Sequence, residues 1–185
     1  MSEAVSALGN PSFPGFATIR EVGPLGMITL RAKHDLPALA AALGSVLGAA
    51  LPGRRRILRA GKVSVGWMSP DELLILLPYA EVAATVAALS QALAGQHALV
   101  VDVSDARSVF RIEGAKAAEV LMKLSPVDVA RLEPDELRRT RTAQTAAAFW
   151  AEEGGFTLVA FRSVAAYVMG LLTHSAQPGS EIFPA

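Results

Sequence analysis

The stretch Val100-Val101-Asp102-Val103-Ser104-Asp105-Ala106-Arg107-Ser108-Val109-Phe110-Arg111-Ile112 lies near the middle of the 185-residue chain. It predicts a strand, a tight polar break at residues 104–107 and a second strand, because two apolar runs rich in β-branched residues flank turn-forming residues. A similar order of elements recurs on both sides of the break. The sequence therefore predicts a duplicated α+β protein whose two halves are joined at this segment.

The half before the break has an apolar pattern that predicts the order strand, helix, strand, strand, helix, strand. Strands are expected at 25–30, 63–68, 73–77 and 97–103, and helices at 36–50 and 82–93. Gly44 and Gly48 fall within the first helical pattern and are expected to allow close helix packing. This βαββαβ order is that of a ferredoxin-like unit.

The half after the break repeats much of this order. It predicts a strand at 108–112, a helix after Gly114, a loop over 134–141, a hairpin with strands at 142–150 and 156–161, and a last helix capped by Ser163 with Val164, Tyr167, Val168, Leu171 and Leu172 on its buried face. The only two tryptophans, Trp67 and Trp150, each stand near the end of the first strand of a hairpin. The fold class predicted is α+β, with two duplicated ferredoxin-like units.

The domain organisation predicted from this pattern has three parts. Residues 1–23, rich in proline, glycine and small polar residues, are expected to form an extended N-terminal arm without regular structure. Residues 24–175 are expected to form a single domain of two ferredoxin-like halves, at about 24–104 and 105–175. Residues 176–185 are expected to be a flexible tail.

Composition limits the classes of function. Lys plus Arg equals Asp plus Glu at 17 each, so no net field attracts nucleic acid, and no nucleic-acid partner is expected. The absence of cysteine excludes disulfides, thiolate nucleophiles and cysteine metal sites. No apolar run approaches the roughly 20 residues of a membrane span, and the start Met1-Ser2-Glu3-Ala4 lacks a signal-peptide pattern. The chain is therefore expected to be cytoplasmic, without a membrane partner.

The central break carries the strongest candidate cluster, formed by Asp102, Asp105, Arg107 and Arg111. One interpretation is a salt-bridged turn in which Ser104 or Asp105 accepts hydrogen bonds from backbone N–H groups and fixes the joint between the halves. The alternative is a carboxylate that orients a cationic or amine-bearing ligand.

Other candidate groups favour structural interpretations. The basic residues Arg54, Arg55, Arg56, Arg59 and Lys62 are expected in a solvated loop rather than in a phosphate- or carboxylate-binding patch. The hairpin carboxylates Asp71, Glu72, Glu152 and Glu153 are expected to face solvent. His34, His97 and His174 lack metal-ligand spacing and are expected to be surface or capping histidines. Since hydrolase and nucleotide motifs are also missing, no catalytic, cofactor-binding or metal-binding residue is predicted.

Three segments resemble the gamma subunit of heterotetrameric sarcosine oxidase. They are Gly-Trp-Met-Ser-Pro-Asp-Glu-Leu-Leu-Ile-Leu-Leu-Pro at 66–78, Val-Asp-Val-Ser-Asp-Ala-Arg at 101–107 and Phe-Arg-Ile-Glu-Gly at 110–114. Segments 125–128 and 142–145 are similar as well, and the resemblance extends from about Gly15 to Leu172. Where the family commonly has Gly-Cys-Pro, this chain has Leu-Ser-Pro at 124–126, so a different local helix end is expected there.

The resemblance implies a subunit that assembles with alpha, beta and delta subunits. Such a complex oxidatively demethylates sarcosine to glycine, with formaldehyde or methylene-tetrahydrofolate and hydrogen peroxide as further products. FAD, FMN, NAD, tetrahydrofolate and zinc are then expected in the partner subunits and none in this chain, whose task is assembly and stabilisation. The family also resembles the folate-binding domain of aminomethyltransferases. The alternative is a standalone folate-binding protein of one-carbon metabolism.

Overall fold

The computed structural model describes residues 4–183. The chain forms two compact units: the middle unit is Leu25–Ser104, and the split unit combines the chain up to Pro24 with the chain from Asp105 onward. The change of unit thus falls at the predicted polar break. Each unit has its own antiparallel sheet and its own hydrophobic core. The grouping of 24–175 into a single domain stays a prediction.

Two short strands of the split unit come first, β1 (Ser12–Pro14) and β2 (Thr18–Val22), and they pair with each other. The prediction that residues 1–23 lack regular structure is therefore wrong for these strands, although residues 1–3 of the predicted arm lie outside the described residues. The physical reason is tertiary: Ile19 is fully buried in the core of the split unit, and this packing outweighs the turn-forming neighbours.

The middle unit contains five strands and two helices. They are β3 (Gly26–Arg31), α1 (Pro37–Ala42), β4 (Ile57–Ala60), β5 (Val63–Ser69), β6 (Glu72–Leu77), α2 (Val82–Ala92) and β7 (Leu99–Asp102). The sheet order is β4-β5-β6-β3-β7, with every neighbouring pair antiparallel. The predicted βαββαβ order is confirmed, and β4 is an added edge strand where a solvated loop was expected.

The first helix ends differently from the sequence prediction. After α1 the chain widens into a π-helical turn, Leu43–Leu47, and Gly48 closes it in the left-handed conformation with φ of 62°. A Cβ at Gly44 or at Gly48 would have no atom within 4 Å. The expectation that these glycines allow close helix packing is therefore wrong, because both face open space.

A Gly44→Ala substitution is expected to stabilise the chain by about 0.5–1 kcal/mol, since alanine loses less backbone entropy in a helix and here meets no obstacle. Gly48→Ala is the matched control and should cost about 1 kcal/mol, because its backbone is left-handed. Urea unfolding of both variants measures the two signs. Destabilisation by Gly44→Ala would contradict the open environment.

The split unit continues with β8 (Arg107–Glu113), α3 (Ala117–Leu124), β9 (Leu137–Thr142), β10 (Thr145–Glu152), β11 (Gly155–Phe161) and α4 (Ala165–Ser175). Its sheet order is β1-β2-β8-β11-β10-β9. The loop predicted for 134–141 is wrong from residue 137 onward, because residues 137–142 form β9 and pair with residues 145–150 of β10. Ser163 lies in a 3₁₀ turn before α4 and does not cap that helix, and Tyr167 is exposed rather than buried.

The two units share one topology. Read from the edge, the middle unit has β4-β5-β6-β3-β7 and the split unit has β9-β10-β11-β8-β2, with β1 added outside. Helices α2 and α4 both have 11 residues, and their first residues, Val82 and Ala165, are 83 positions apart. Trp67 and Trp150 are separated by the same 83 positions. The predicted duplication is confirmed. Strand β2, from the N-terminal part, takes in the split unit the place that β7 takes in the middle unit.

The segment after α4 is tied to α3 as far as Phe183. The buried carboxylate of Glu119 accepts a hydrogen bond from the Phe183 N–H at 3.2 Å, and Lys123 Nζ donates to the Ser180 hydroxyl at 3.1 Å. Residues 184 and 185 of the predicted tail lie outside the described residues. The flexibility of the tail stays a prediction that amide hydrogen exchange can test.

Candidate functional site

The central break is a 3₁₀ turn, Ser104–Ala106, fixed by a side-chain network. The Asp102 Oδ1 atom accepts hydrogen bonds from the Ser104 N–H at 2.9 Å and from the Ser104 hydroxyl at 2.6 Å. The buried Ser104 Oγ in turn accepts the Met27 N–H at 2.9 Å. The interpretation that Ser104 accepts a backbone N–H is confirmed, and Asp102 acts as the acceptor that orients it.

The two arginines of the predicted cluster contact residues of neighbouring strands. The Arg107 guanidinium stacks over the ring of Phe161, 4.2 Å from its centroid, because these residues are directly opposite in the β8–β11 register. Arg111 Nη1 donates to the Thr157 hydroxyl at 2.8 Å and forms an ion pair with Glu152. These arginines thus hold strands together and have structural partners.

The hairpin carboxylates do not all face solvent as predicted. Asp71 and Glu153 are exposed, whereas Glu72 is buried and Glu152 is half-buried within β10. Glu152 Oε1 accepts the indole N–H of Trp150 at 2.8 Å, besides its ion pair with Arg111. The prediction is wrong for Glu72 and Glu152, because both lie in strands rather than in the turns next to them.

The predicted basic stretch is spread over a turn and a strand. Arg54 and Arg55 are exposed in the turn before β4, Arg59 is an exposed residue of β4, and Lys62 lies in the β4–β5 turn. The Arg56 carbonyl accepts the Trp67 N–H at 2.9 Å, which extends the pairing beyond β4. These residues follow the outer edge of the sheet.

His34 departs from the expectation of an ordinary surface histidine. Its ring packs edge-on against Trp67, with ring centroids 6.3 Å apart, and its Nε2 atom is buried without a hydrogen-bond partner among residues 4–183. Burial lowers the pKa of His34, while the charge of Asp71 opposes this shift. The neutral imidazole is therefore the favoured form in the folded middle unit.

This burial predicts a pH-dependent stability. Because the pKa of His34 is lower in the folded than in the unfolded chain, the unfolding free energy is expected to fall as the pH drops below 6.5, the ordinary value. Solvent screening keeps the effect below about 1 kcal/mol. Urea unfolding between about pH 7 and about pH 5 should show that His34→Phe, which keeps the ring packing, flattens this part of the profile. An unchanged slope would contradict the prediction.

A groove lies in the middle unit at the end of the β3–β7 ladder, where β3 turns toward α1. It encloses about 530 Å³ and has apolar walls from Ala32, Ala98 and Leu99. Its polar side chains are Arg31, Lys33, Asp71 and His97. Sequence spacing does not bring these four together, because they come from three separate segments that only the pairing of β3 with β6 and β7 places at one corner.

One ion pair organises the groove. Arg31 Nη2 lies 2.8 Å from Asp71 Oδ2, and the Ser69 hydroxyl donates to Asp71 Oδ1 at 2.6 Å. The Ser69 hydrogen bond and then Arg31 lower the pKa of Asp71, so this carboxyl group stays ionised. The side chains of Lys33 and His97 are exposed and have no ion pair or hydrogen bond within residues 4–183. The groove therefore has more donors than acceptors and suits an anionic group.

Residues 4–183 contain no cluster of three or more His, Cys, Asp or Glu side chains placed to hold a metal ion. None of the helices in that range has the length and apolar character of a membrane span.

The fold and these sites place the chain in the class of duplicated ferredoxin-like α+β proteins, and its polar clusters mainly hold strands and turns. The model of the sarcosine oxidase gamma subunit family matches residues 31–177. The chain therefore belongs to this family, as the resemblance in the sequence indicated.

Curated relatives agree with this membership. The sarcosine oxidase gamma subunit of Corynebacterium sp. strain U-96 is 38% identical over 137 residues, and that of Corynebacterium sp. strain P-1 is 33% identical over 126 residues. The alignments cover 71% and 66% of this chain, and 62% and 60% of the relatives. The chain thus spans less than two thirds of the curated relatives it matches.

Solved structures extend the comparison to the fold. A chain of heterotetrameric sarcosine oxidase from Corynebacterium sp. U-96, in complex with pyrrole 2-carboxylate, superposes with a TM-score of 0.80 and 26% identity over 91% of this chain and 88% of that chain. Aminomethyltransferase T of the glycine cleavage system from Bartonella henselae gives 0.63 at 14% identity, over 85% of this chain and 45% of that chain. The second likeness shows the fold alone and confirms the predicted fold class.

Proposed function

We propose that this chain is a noncatalytic gamma subunit that assembles with alpha, beta and delta subunits into a sarcosine oxidase complex and stabilises it. The observation that carries the proposal is the similarity to a chain of heterotetrameric sarcosine oxidase along 91% of the present chain. The structural partners of the candidate cluster support it, since Asp102 and Arg111 are engaged in a turn and between strands.

The complex would oxidatively demethylate sarcosine to glycine, with formaldehyde or methylene-tetrahydrofolate and hydrogen peroxide as the other products. The flavins, NAD, tetrahydrofolate and zinc would be held by the partner subunits, and the assembly would work in the cytoplasm. This chain would contribute surfaces rather than reacting groups. For the cofactor part of the proposal, we expect the purified chain to show no flavin absorbance and metal analysis to find no bound zinc.

Co-expression tests the role in assembly. Alpha, beta and delta subunits of a sarcosine oxidase are produced with this chain and without it, and the products are separated by size exclusion and assayed for sarcosine oxidation. We expect this chain to elute with the other subunits and the complex to lose yield and heat stability without it. A fully active, equally stable complex that lacks the chain would overturn the proposal.

The alternative to a subunit of a complex is a standalone folate-binding protein, and the fold shared with aminomethyltransferase T is compatible with it. Fold similarity alone does not confer folate binding. Calorimetric titration of the purified chain with tetrahydrofolate separates the two: stoichiometric tight binding without partners would favour the alternative, and no heat of binding is expected from the proposed subunit.

A further inference from the structure

We propose that the free edge of β7, together with the groove beside it, docks an extended acidic segment of a partner subunit by strand addition. The inference rests on the proposed function, because it needs a partner subunit. It specifies the surface of the middle unit and the chemistry of the segment that binds there.

The first support is the unpaired edge. Strand β7 is the terminal strand of its sheet in the described part of the chain. The Val103 N–H donates to the Met27 carbonyl at 2.8 Å, and antiparallel strands alternate residues that face the partner with residues that face away. Leu99 and Val101 therefore direct their backbone groups at β3, while those of Val100 and Asp102 point outward. An incoming strand finds these groups ready for pairing.

The second support is an apolar surface on that edge. Leu99 and Val101 are 53% and 37% exposed. They lie opposite Arg31 and Thr29 in the β3–β7 register, so all four side chains are on one face of the sheet. Edge strands that stay in water are usually protected by charged side chains, proline or a bulge. The only charged residue of β7 is Asp102 at its end, and the Asp102 carboxylate is engaged with Ser104. Such an edge is typical of a strand covered in an assembly.

The third support is charge. The groove continues the face of β7 through Leu99 and carries Arg31, Lys33 and His97 against the single carboxylate of Asp71. Since Asp71 already binds Arg31, the Lys33 ammonium and the His97 imidazole are the groups left to receive a carboxylate. A segment that carries Asp or Glu beside an apolar residue thus complements both parts of the surface.

An extended chain fits better than a small anion. The cationic side chains are exposed, so water and salt would weaken their attraction for a free carboxylate. A strand adds main-chain hydrogen bonds to Val100 and buries Leu99 and Val101, which gives affinity that a small anion lacks.

The test uses full-length variants co-expressed with the other subunits. Lys33→Glu reverses a charge in the groove, and Lys62→Glu is its control, an exposed lysine in the β4–β5 turn. Val101→Lys places a charge on the edge, and Val5→Lys is its control, a valine that is 61% exposed in the split unit. We expect Lys33→Glu and Val101→Lys to weaken assembly about tenfold or more, and the controls to bind as the parent chain does.

Hydrogen exchange followed by mass spectrometry provides the second readout. In the complex, amide exchange over residues 98–102 should slow at least about tenfold relative to the free chain, because the outward N–H groups become paired. Circular dichroism of each variant establishes that it is folded.

The outcomes are distinct. If the parent chain does not join the complex, the proposed function fails. If it joins but the two variants assemble like their controls, or if residues 98–102 gain no protection, strand addition is wrong. Weakening by Lys33→Glu without that protection would indicate a loop or a small anion instead, and self-association of the free chain that Val101→Lys abolishes would indicate a second copy. Both results would overturn the inference.

Discussion

Gly155→Ala is expected to lower the free energy of unfolding by about 3 kcal/mol. Gly155 begins β11 and lies opposite Glu113 in the register with β8. A Cβ at this position would stand 1.9 Å from the Ile112 carbonyl oxygen and 2.9 Å from its carbon. The obstacle is backbone within the central pair of the split unit, so relief requires the two strands to separate. Urea unfolding of the full-length chain measures the loss.

Gly154→Ala is the matched control for this prediction. Gly154 precedes Gly155 in the same turn, and a Cβ at Gly154 would have no atom within 4 Å, so only its left-handed φ of 76° adds a cost, about 1 kcal/mol. Equal destabilisation by the two variants would show that turn strain, and not the contact with Ile112, governs this site.

Arg111→Met is expected to cost about 2–4 kcal/mol. The Arg111 side chain is only 13% exposed, and it joins three strands through Glu152 on β10, Thr157 on β11 and Glu113, 3.6 Å away, on β8. Methionine keeps the apolar stem but removes the guanidinium group, which leaves the Thr157 hydroxyl and the Glu152 carboxylate without this donor. The measurement is again the unfolding free energy, with size exclusion to check assembly.

Arg20→Met is the control, since Arg20 lies directly opposite Arg111 in the β2–β8 register. Arg20 also forms an ion pair, 2.8 Å from Glu113, but its side chain is 44% exposed, so its loss should cost less than about 1 kcal/mol. A smaller effect for Arg111→Met than for Arg20→Met would show that burial does not set the strength of these pairs.

Local pattern predicted the elements whose apolar residues follow one period. The stripe Val82, Val86, Leu89 and Leu93 predicted α2, and alternation around Trp67 predicted the β5–β6 hairpin. The spacing of the two tryptophans predicted the duplication. These predictions succeeded because each depends on residues close in sequence and on burial that any compact fold would provide.

Local sequence patterns did not predict the strands that contain several charged residues. Strand β9 reads Leu-Arg-Arg-Thr-Arg-Thr, and β2 reads Thr-Ile-Arg-Glu-Val, and neither has the composition of a typical strand. Their structure depends on partners: β9 pairs with β10, and β2 pairs with β8, about ninety residues further along the chain. The environment of Glu21 also depends on tertiary contacts. Glu21 is buried, and its Oε2 atom accepts hydrogen bonds from the N–H groups of Leu8 and Asn10 at 3.0 and 2.9 Å.

The sequence by itself determined the fold class, the duplication, the joint at residues 104–107 and the family, because apolar periodicity and motif residues are local properties. Only the tertiary structure decided that β2 completes the split unit, that Arg111 pairs with Glu152 rather than with the aspartates of the break, and that Arg31, Lys33, Asp71 and His97 share one groove beside a free edge. The physical reason is strand pairing, which brings together residues far apart in sequence and sets by register which side chains meet.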